Sequence, residues 1–278
     1  MEKILLTGAT GFVGRQILKQ LENKGHQITI VVKPDWENRI SINEALTKII
    51  EVDDIFSQTS KWWEKNLTGI STIIHTAWYA EPGLYLNSIK NEECFLGTVQ
   101  LATAAKNKNV TRFVGLGSCI EYNISNKHLS IDTPLLPKTL YSKAKVNTFN
   151  CLTNLFDNTT TSFLWCRLFY LFGEGEDPRR FYSFLHQTLK NGEAANLTNG
   201  NQVRDFIDVK IAAKMIIKGT FSSTVGPANI CTGKGKTIRK IAEEIADIYG
   251  RRDLLNFGAR PDNLVDPKYV IGVPTFKI

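Results

Sequence analysis

Ile4-Leu5-Leu6-Thr7-Gly8-Ala9-Thr10-Gly11-Phe12-Val13-Gly14 decides how this chain folds. An apolar run feeds into a turn punctuated by glycines. A helical pattern over 13–24 follows and ends at Gly25. Strand, glycine turn and helix in that order make a device for holding the pyrophosphate of a dinucleotide. Glycines allow a tight turn and close backbone approach, and the helix N-terminus offers free N–H groups and a positive dipole. Here the spacing is Gly8-x-x-Gly11-x-x-Gly14. Glycine turns end many strands, so it is the placement between a strand and a helix that points to a cofactor.

The pattern continues outward from this unit. Strands are expected over 27–32, 49–52, 72–75 and 111–116, with helical stretches between them, including 98–107. Strands alternating with helices imply βαβ units, hence an α/β fold with a Rossmann-type doubly wound parallel sheet. A helix over 141–155 and a strand over 162–169 extend it. Regularity then falls, and amphipathic helices over 181–191 and 237–249 stand between loops. The expected division is a dinucleotide-binding domain over 1–168, rejoined by the chain at about 205–232. A smaller substrate-binding lobe, mainly 169–278, lies over the carboxyl ends of the strands.

With 278 residues and 42% hydrophobic composition, the chain has ample material for a core. The net charge of +7 comes from Lys and Arg scattered among nearly as many acids. That distribution lacks the basic block of a nucleic-acid binder and suits an anionic small ligand. Cys94, Cys119, Cys151, Cys166 and Cys231 form no CxxC pair, and the four histidines are equally dispersed. Neither a disulfide framework nor a metal site is expected. No stretch reads as a signal peptide or a membrane span, so the expectation is a cytoplasmic enzyme without membrane or nucleic-acid partners.

An acid commonly ends the second strand of an NAD site, to bond the ribose 2′-hydroxyl. Here Ile30-Val31-Val32 runs into Lys33, with Arg39 nearby and Asp35 the local acid. A cation at that point suits a 2′-phosphate, so NADP(H) is expected over NAD(H), with a solvated surface lysine as the alternative. Asp53-Asp54-Ile55 follows the third strand. A carboxylate there can accept from the adenine amino group and Ile55 can pack on the ring; a loop acid capping the next helix is the alternative.

Tyr141 and Lys145 in Tyr141-Ser142-Lys143-Ala144-Lys145 stand four apart, on one face of a helix. A free phenol has a pKa of about 10. A nearby ammonium and an oxidised nicotinamide favour phenolate and bring that value down toward a useful range. Ser118, at the end of the fifth strand, can bond a substrate oxygen and steady a developing alkoxide.

With these motifs in place, the chain resembles the short-chain dehydrogenase/reductase superfamily, in its extended branch that acts on nucleotide sugars. The resemblance implies that Gly8, Thr10, Gly11, Phe12, Val13 and Gly14 line the cofactor. Ile74-His75-Thr76-Ala77 is similar to the fourth-strand segment beside it, which adds Thr76 and Ala77. Arg167-Leu168-Phe169 and Phe172-Gly173 resemble the segment entering the sugar pocket. Arg204 in Gln202–Ile207 and Arg260 in Gly258-Ala259-Arg260-Pro261 resemble arginines that grip the nucleotide diphosphate. Dehydratases of the branch carry an Asp-Glu pair where Cys119-Ile120 stands, which argues against loss of water. Many members carry an asparagine where Tyr170 stands, an asparagine near Cys94 and an alanine where Trp78 stands, so Trp78 and Tyr170 are expected to contact substrate in their own way.

The segment Gly117–Tyr122, Trp78 and the run Trp165–Gly173 look most like the 4-ketoreductases of 6-deoxytalose or fucose type. The resemblance implies an NAD(P)H-dependent reductase of a nucleotide-diphosphate 4-keto-6-deoxyhexose, serving deoxysugar biosynthesis for surface polysaccharide. Ser118, Tyr141 and Lys145 would be catalytic, and the protein a homodimer. Two rivals remain: a nucleotide-sugar 4-epimerase with tightly bound NAD, and a non-catalytic dinucleotide sensor on the same fold.

Overall fold

The computed structural model describes all residues except 23, 41–44, 125–127, 264–265 and 278. Its first half runs β1 (Lys3–Thr7), α1 (Phe12–Leu21), β2 (Gln27–Val32), β3 (Leu46–Glu51), α2 (Ser60–Asn66), β4 (Thr72–His75), α3 (Lys90–Asn107) and β5 (Arg112–Ser118). The second half runs β6 (His128–Leu129), α4 (Leu140–Phe156), β7 (Ser162–Leu168), β8 (Tyr170–Phe172), α5 (Phe181–Lys190), β9 (Ala195–Leu197), β10 (Val203–Arg204) and β11 (Phe206–Asp208). It ends with α6 (Val209–Thr220), β12 (Gly226–Ile230), β13 (Lys236–Thr237), α7 (Ile238–Tyr249), β14 (Leu255–Phe257) and β15 (Tyr269–Gly272).

Seven strands make one parallel sheet in the order β12-β7-β5-β4-β1-β2-β3. The chain leaves β1 outward to β3 and returns to β4 on the other side of β1, so the strand order reverses between β1 and β4. In open α/β sheets, ligands bind outside the carboxyl ends of the strands at such a switch point.

Strand alternation explains why both faces are covered. Ile4 and Leu6 point to one side, with Ile28 and Ile30, under Ile17 and Leu21 of α1 and Ala212 and Ile216 of α6. Leu5, Val31 and Ile73 point to the other, under Leu101 and Ala105 of α3 and Leu152 of α4. A third apolar cluster joins α5 and α7 through Leu185, Leu189, Ile241 and Ile245.

The expected boundaries shift in ways that have physical causes. α1 stops at Leu21, short of the expected 24; of that stretch, residue 23 lies outside the described residues. A turn bond from Lys24 N–H to the Leu21 carbonyl and the left-handed Gly25 (φ 68°) end it. α3 begins at Lys90, well before 98, because Gly97 lies inside it. A Cβ there would come within 2.5 Å of the Phe56 backbone, so the glycine marks close packing and no break. β3 begins at Leu46; as an edge strand it has no fully buried residue, and Thr47 and Lys48 are both exposed, which hides its start.

Candidate active site

The cradle lies at the carboxyl end of β1, at the switch point. Gly8 is left-handed (φ 71°), and its carbonyl accepts from Gly11 N–H at 2.9 Å. A side chain at Gly8 would run into Thr76 and Ala77, and one at Gly14 would overlap the Gly8 carbonyl. Added bulk at Gly11 meets only the Gly8 oxygen, at 3.2 Å, so this glycine leaves its outer side open. No side chain caps α1, whose N-cap is Gly11, and no acid occupies its first turn. Thr10 and Phe12 flank Gly11, and Val13 is half-buried in the first turn of α1. An uncapped helix N-terminus behind an open glycine fits a pyrophosphate.

Beneath it, His75 locks β4 to β1. Its Nδ1 lies 2.8 Å from Thr7 Oγ1 and its Nε2 2.9 Å from Thr98 Oγ1. Thr98 donates its proton to the Cys94 carbonyl, so the His75 Nε2–H must donate to Thr98, and Nδ1 accepts from Thr7. Burial, with the Lys145 charge adding, pushes the imidazole pKa down to about 3, so it stays neutral. Thr76 Oγ1 donates to the Thr7 carbonyl at 2.7 Å, which places Thr76 and Ala77 against Gly8.

At the end of β2, Lys33, Asp35 and Arg39 are exposed. Arg39 shares with Arg15 and Lys19 a cavity of about 410 Å³ between α1 and the 37–40 segment, which Glu22 and Glu37 also line. Past β3, the Asp54 carboxylate accepts from Phe56 N–H at 3.0 Å, so it serves a local turn; Ile55 beside it is half-buried.

Ser118 ends β5 and opens a single helical turn over Cys119–Glu121. Thr139 and Ser142 form a capping box that starts α4, fixing the turn that carries Tyr141. Tyr141 faces the Ser118 side chain, which favours its ionised form. Its pKa lies well above the ordinary phenol value, because burial dominates and nearby Tyr85 and Glu121 add to it, outweighing Ser118. The expected lowering therefore does not hold in the chain by itself: Tyr141 is a neutral phenol that carries its proton. Lys145 is buried and donates to the Leu116 carbonyl at 2.8 Å. Burial pulls its pKa down to about 7, opposed by the Cys94 thiol and Glu121. Trp78 caps it, with Nζ 3.4 Å from the indole ring centroid, a cation–π contact.

Tyr170 follows β7, and the Arg204 guanidinium stands 5.3 Å from its ring centroid. Arg204 is buried and paired to Asp266 at 2.7 Å. Its neighbour Asp205 is buried too and accepts from Thr232, Gly233 and Gly272 backbone N–H groups, anchoring the strand that carries Arg204. Arg260 is exposed, and its backbone N–H bonds the Leu197 carbonyl at 3.1 Å. Cys119 is buried and its thiol is pushed up to about 12 by burial, so it neither gives nor takes a proton near neutrality.

Three residues escaped the sequence reading. Glu121, fully buried, accepts from Ser118 N–H at 2.7 Å, pairs with Arg167 at 2.7 Å and takes the Trp165 indole N–H. Its only sequence signal is the Ser-x-x-Glu spacing from Ser118, a capping box. Tyr85 packs on Tyr141, and Asn91 holds Trp78; neither belongs to a motif.

A profile of the NAD dependent epimerase/dehydratase family matches residues 4–219, and the chain belongs to that family of enzymes. It is similar to a dTDP-6-deoxy-L-talose 4-dehydrogenase (NAD(+)) of Aggregatibacter actinomycetemcomitans, 28% identical over 87% of this chain and 88% of the relative. It is similar to a CDP-abequose synthase of Salmonella muenchen, 26% identical over 95% of this chain and 88% of the relative. Its fold matches that of a UDP-N-acetylglucosamine 4-epimerase from Methanobrevibacter ruminantium M1 solved with UDP-N-acetylmuramic acid. The TM-score is 0.86 at 22% identity, over 99% of this chain and 90% of the other. Among the described residues, no helix is long and apolar enough to cross a membrane.

Proposed function

We propose that this enzyme reduces a nucleotide-diphosphate 4-keto-6-deoxyhexose. The observation that carries this reading is the meeting of Ser118, Tyr141 and Lys145 beside the Gly8–Gly14 cradle, with a buried, inert Cys119 where a dehydratase holds an acid. A nicotinamide cofactor supplies the hydride of such a reduction. Tyr141, neutral in this environment, donates the proton to the carbonyl oxygen, and Ser118 orients that oxygen. Lys145 holds the cofactor ribose and steadies Tyr141. Trp78 and Tyr170 contact the sugar. The relatives that make or oxidise deoxysugars support this reading. The test is oxidation of NADPH by a nucleotide-diphosphate 4-keto-6-deoxyhexose; no consumption would remove the reductase assignment. The folds shared with 4-epimerases favour one alternative, a 4-epimerase with tightly held NAD, for which the protein would purify with its cofactor bound.

Arg204 and Arg260 are assigned to the substrate diphosphate, which competes with the Asp266 carboxylate for the Arg204 guanidinium. Charge-assisted contacts of this kind are worth about 1.5–3 kcal/mol each. Arg204→Ala and Arg260→Ala are expected to raise the KM for the nucleotide sugar while NADPH affinity stays unchanged. Equal KM values in wild type and both variants would sink the diphosphate assignment.

NADP(H) is the proposed cofactor, because the side chain after β2 is Lys33 and Arg39 stands near it with no acid ending the strand. Lys33→Ala should weaken NADPH more than NADH in fluorescence titrations. Tighter binding of NADH by the wild type would reverse the assignment to NAD(H).

A further inference from the structure

Tyr85 opens a short helical turn, Tyr85–Asn87, between β4 and α3. Its ring meets the Tyr141 ring edge-on, centroids 4.9 Å apart and planes at 89°. Trp78 meets the same ring at 6.3 Å and 90°. One buried amide ties these two aromatics together. Asn91 donates to the carbonyls of Tyr85 (2.6 Å) and Ser88 (2.9 Å), and it accepts from Trp78 Nε1 (2.9 Å). Both of its N–H bonds and its oxygen are engaged, so the turn and the indole are held as one unit against the catalytic phenol.

The Tyr85 side chain is half-buried, and its hydroxyl takes no hydrogen bond among the described residues. Burial pushes its pKa up, against the opposing charge of Arg180, so it is a neutral donor. Arg180 is the N-cap residue of α5. The free hydroxyl therefore belongs to a ring packed on Tyr141, which Trp78 also meets, within reach of the Arg180 charge.

We propose that Tyr85 is a sugar-recognising residue, its phenol donating to a pyranose hydroxyl of a nucleotide-diphosphate hexose while the Trp78 and Tyr85 rings wall the sugar's apolar face. This rests on the nucleotide-sugar reading above. The chemistry follows from the substrate class. A pyranose carries oxygens on adjacent carbons, so when Ser118 and Tyr141 hold the oxygen of the reacting carbon, its neighbour is presented to the wall beside Tyr141. Aromatic walls suit the C–H faces of a sugar ring, and a polar tip suits a hydroxyl.

The test is calorimetric binding of UDP-, dTDP-, CDP- and GDP-glucose, each beside its free nucleoside diphosphate, to wild type and Tyr85→Phe. The sugar nucleotide that binds wild type is expected to bind Tyr85→Phe about five- to tenfold more weakly, the loss of one neutral hydrogen bond. The free nucleoside diphosphate and NADPH should bind both proteins equally. Tyr85→Leu, which also removes the ring wall, should lose more. Unchanged sugar-nucleotide affinity in Tyr85→Phe overturns this proposal alone, and so does an equal weakening of the free diphosphate. Wild type that binds neither sugar nucleotides nor diphosphates overturns the nucleotide-sugar reading, and this proposal with it. The melting temperature of Tyr85→Phe is expected to match wild type; a drop would make the effect structural and overturn the recognition role.

Discussion

Tyr141→Phe is expected to lose about 10²–10⁴-fold in turnover while binding cofactor as the wild type does. The substitution removes one hydroxyl and leaves the ring, which stays packed against Tyr85 and Trp78. What disappears is the proton that burial keeps on the phenol, beside Ser118. Lys145 keeps its bond to the Leu116 carbonyl, so its placement is unchanged. Steady-state rates with a nucleotide-diphosphate 4-keto-6-deoxyhexose, together with an NADPH titration, check both halves. Near-normal turnover would take Tyr141 out of the mechanism.

Arg167→Leu should be the most damaging change to stability. Arg167 and Glu121 are 1% and 0% exposed, and their charges meet at 2.7 Å. Around them Arg167 also donates to Tyr122, which donates to Asn229. Removing one partner of a buried pair leaves the other charge uncompensated, at a cost of about 3–5 kcal/mol. Removing both is far less costly, because no buried charge remains. The double variant Arg167→Leu, Glu121→Leu is therefore expected to recover much of the loss in denaturant midpoint. It should still turn over poorly, since Ser118 N–H loses its acceptor. A single Arg167→Leu variant within about 1 kcal/mol of wild type would mean that the pair does not carry an uncompensated charge when broken.

These two residues illustrate different kinds of legibility. Tyr141 could be found from the chain because its relation to Lys145 is one helical turn, and Thr139 and Ser142 cap that turn locally. Glu121 bonds Ser118 three residues away, which its spacing hints at, yet its partner Arg167 arrives from β7 through strand pairing. In the chain by itself the Tyr141 pKa is raised for a similar reason. The neighbour along the helix can be counted from the chain, but burial, the dominant cause, cannot.

The order strand, glycine turn, helix and the alternation of Ile4, Leu5 and Leu6 are written in local periodicity, as are the cradle spacing and the Tyr141–Lys145 face. Each of these depends on residues within one element or its neighbour, whose relative directions the backbone dictates. The capping of Lys145 by Trp78, the hold of Asp266 on Arg204 and the neutral His75 between β1 and β4 belong to the tertiary structure. They join residues far apart in the chain, and their strength comes from exclusion of water, which exists only once the layers have packed.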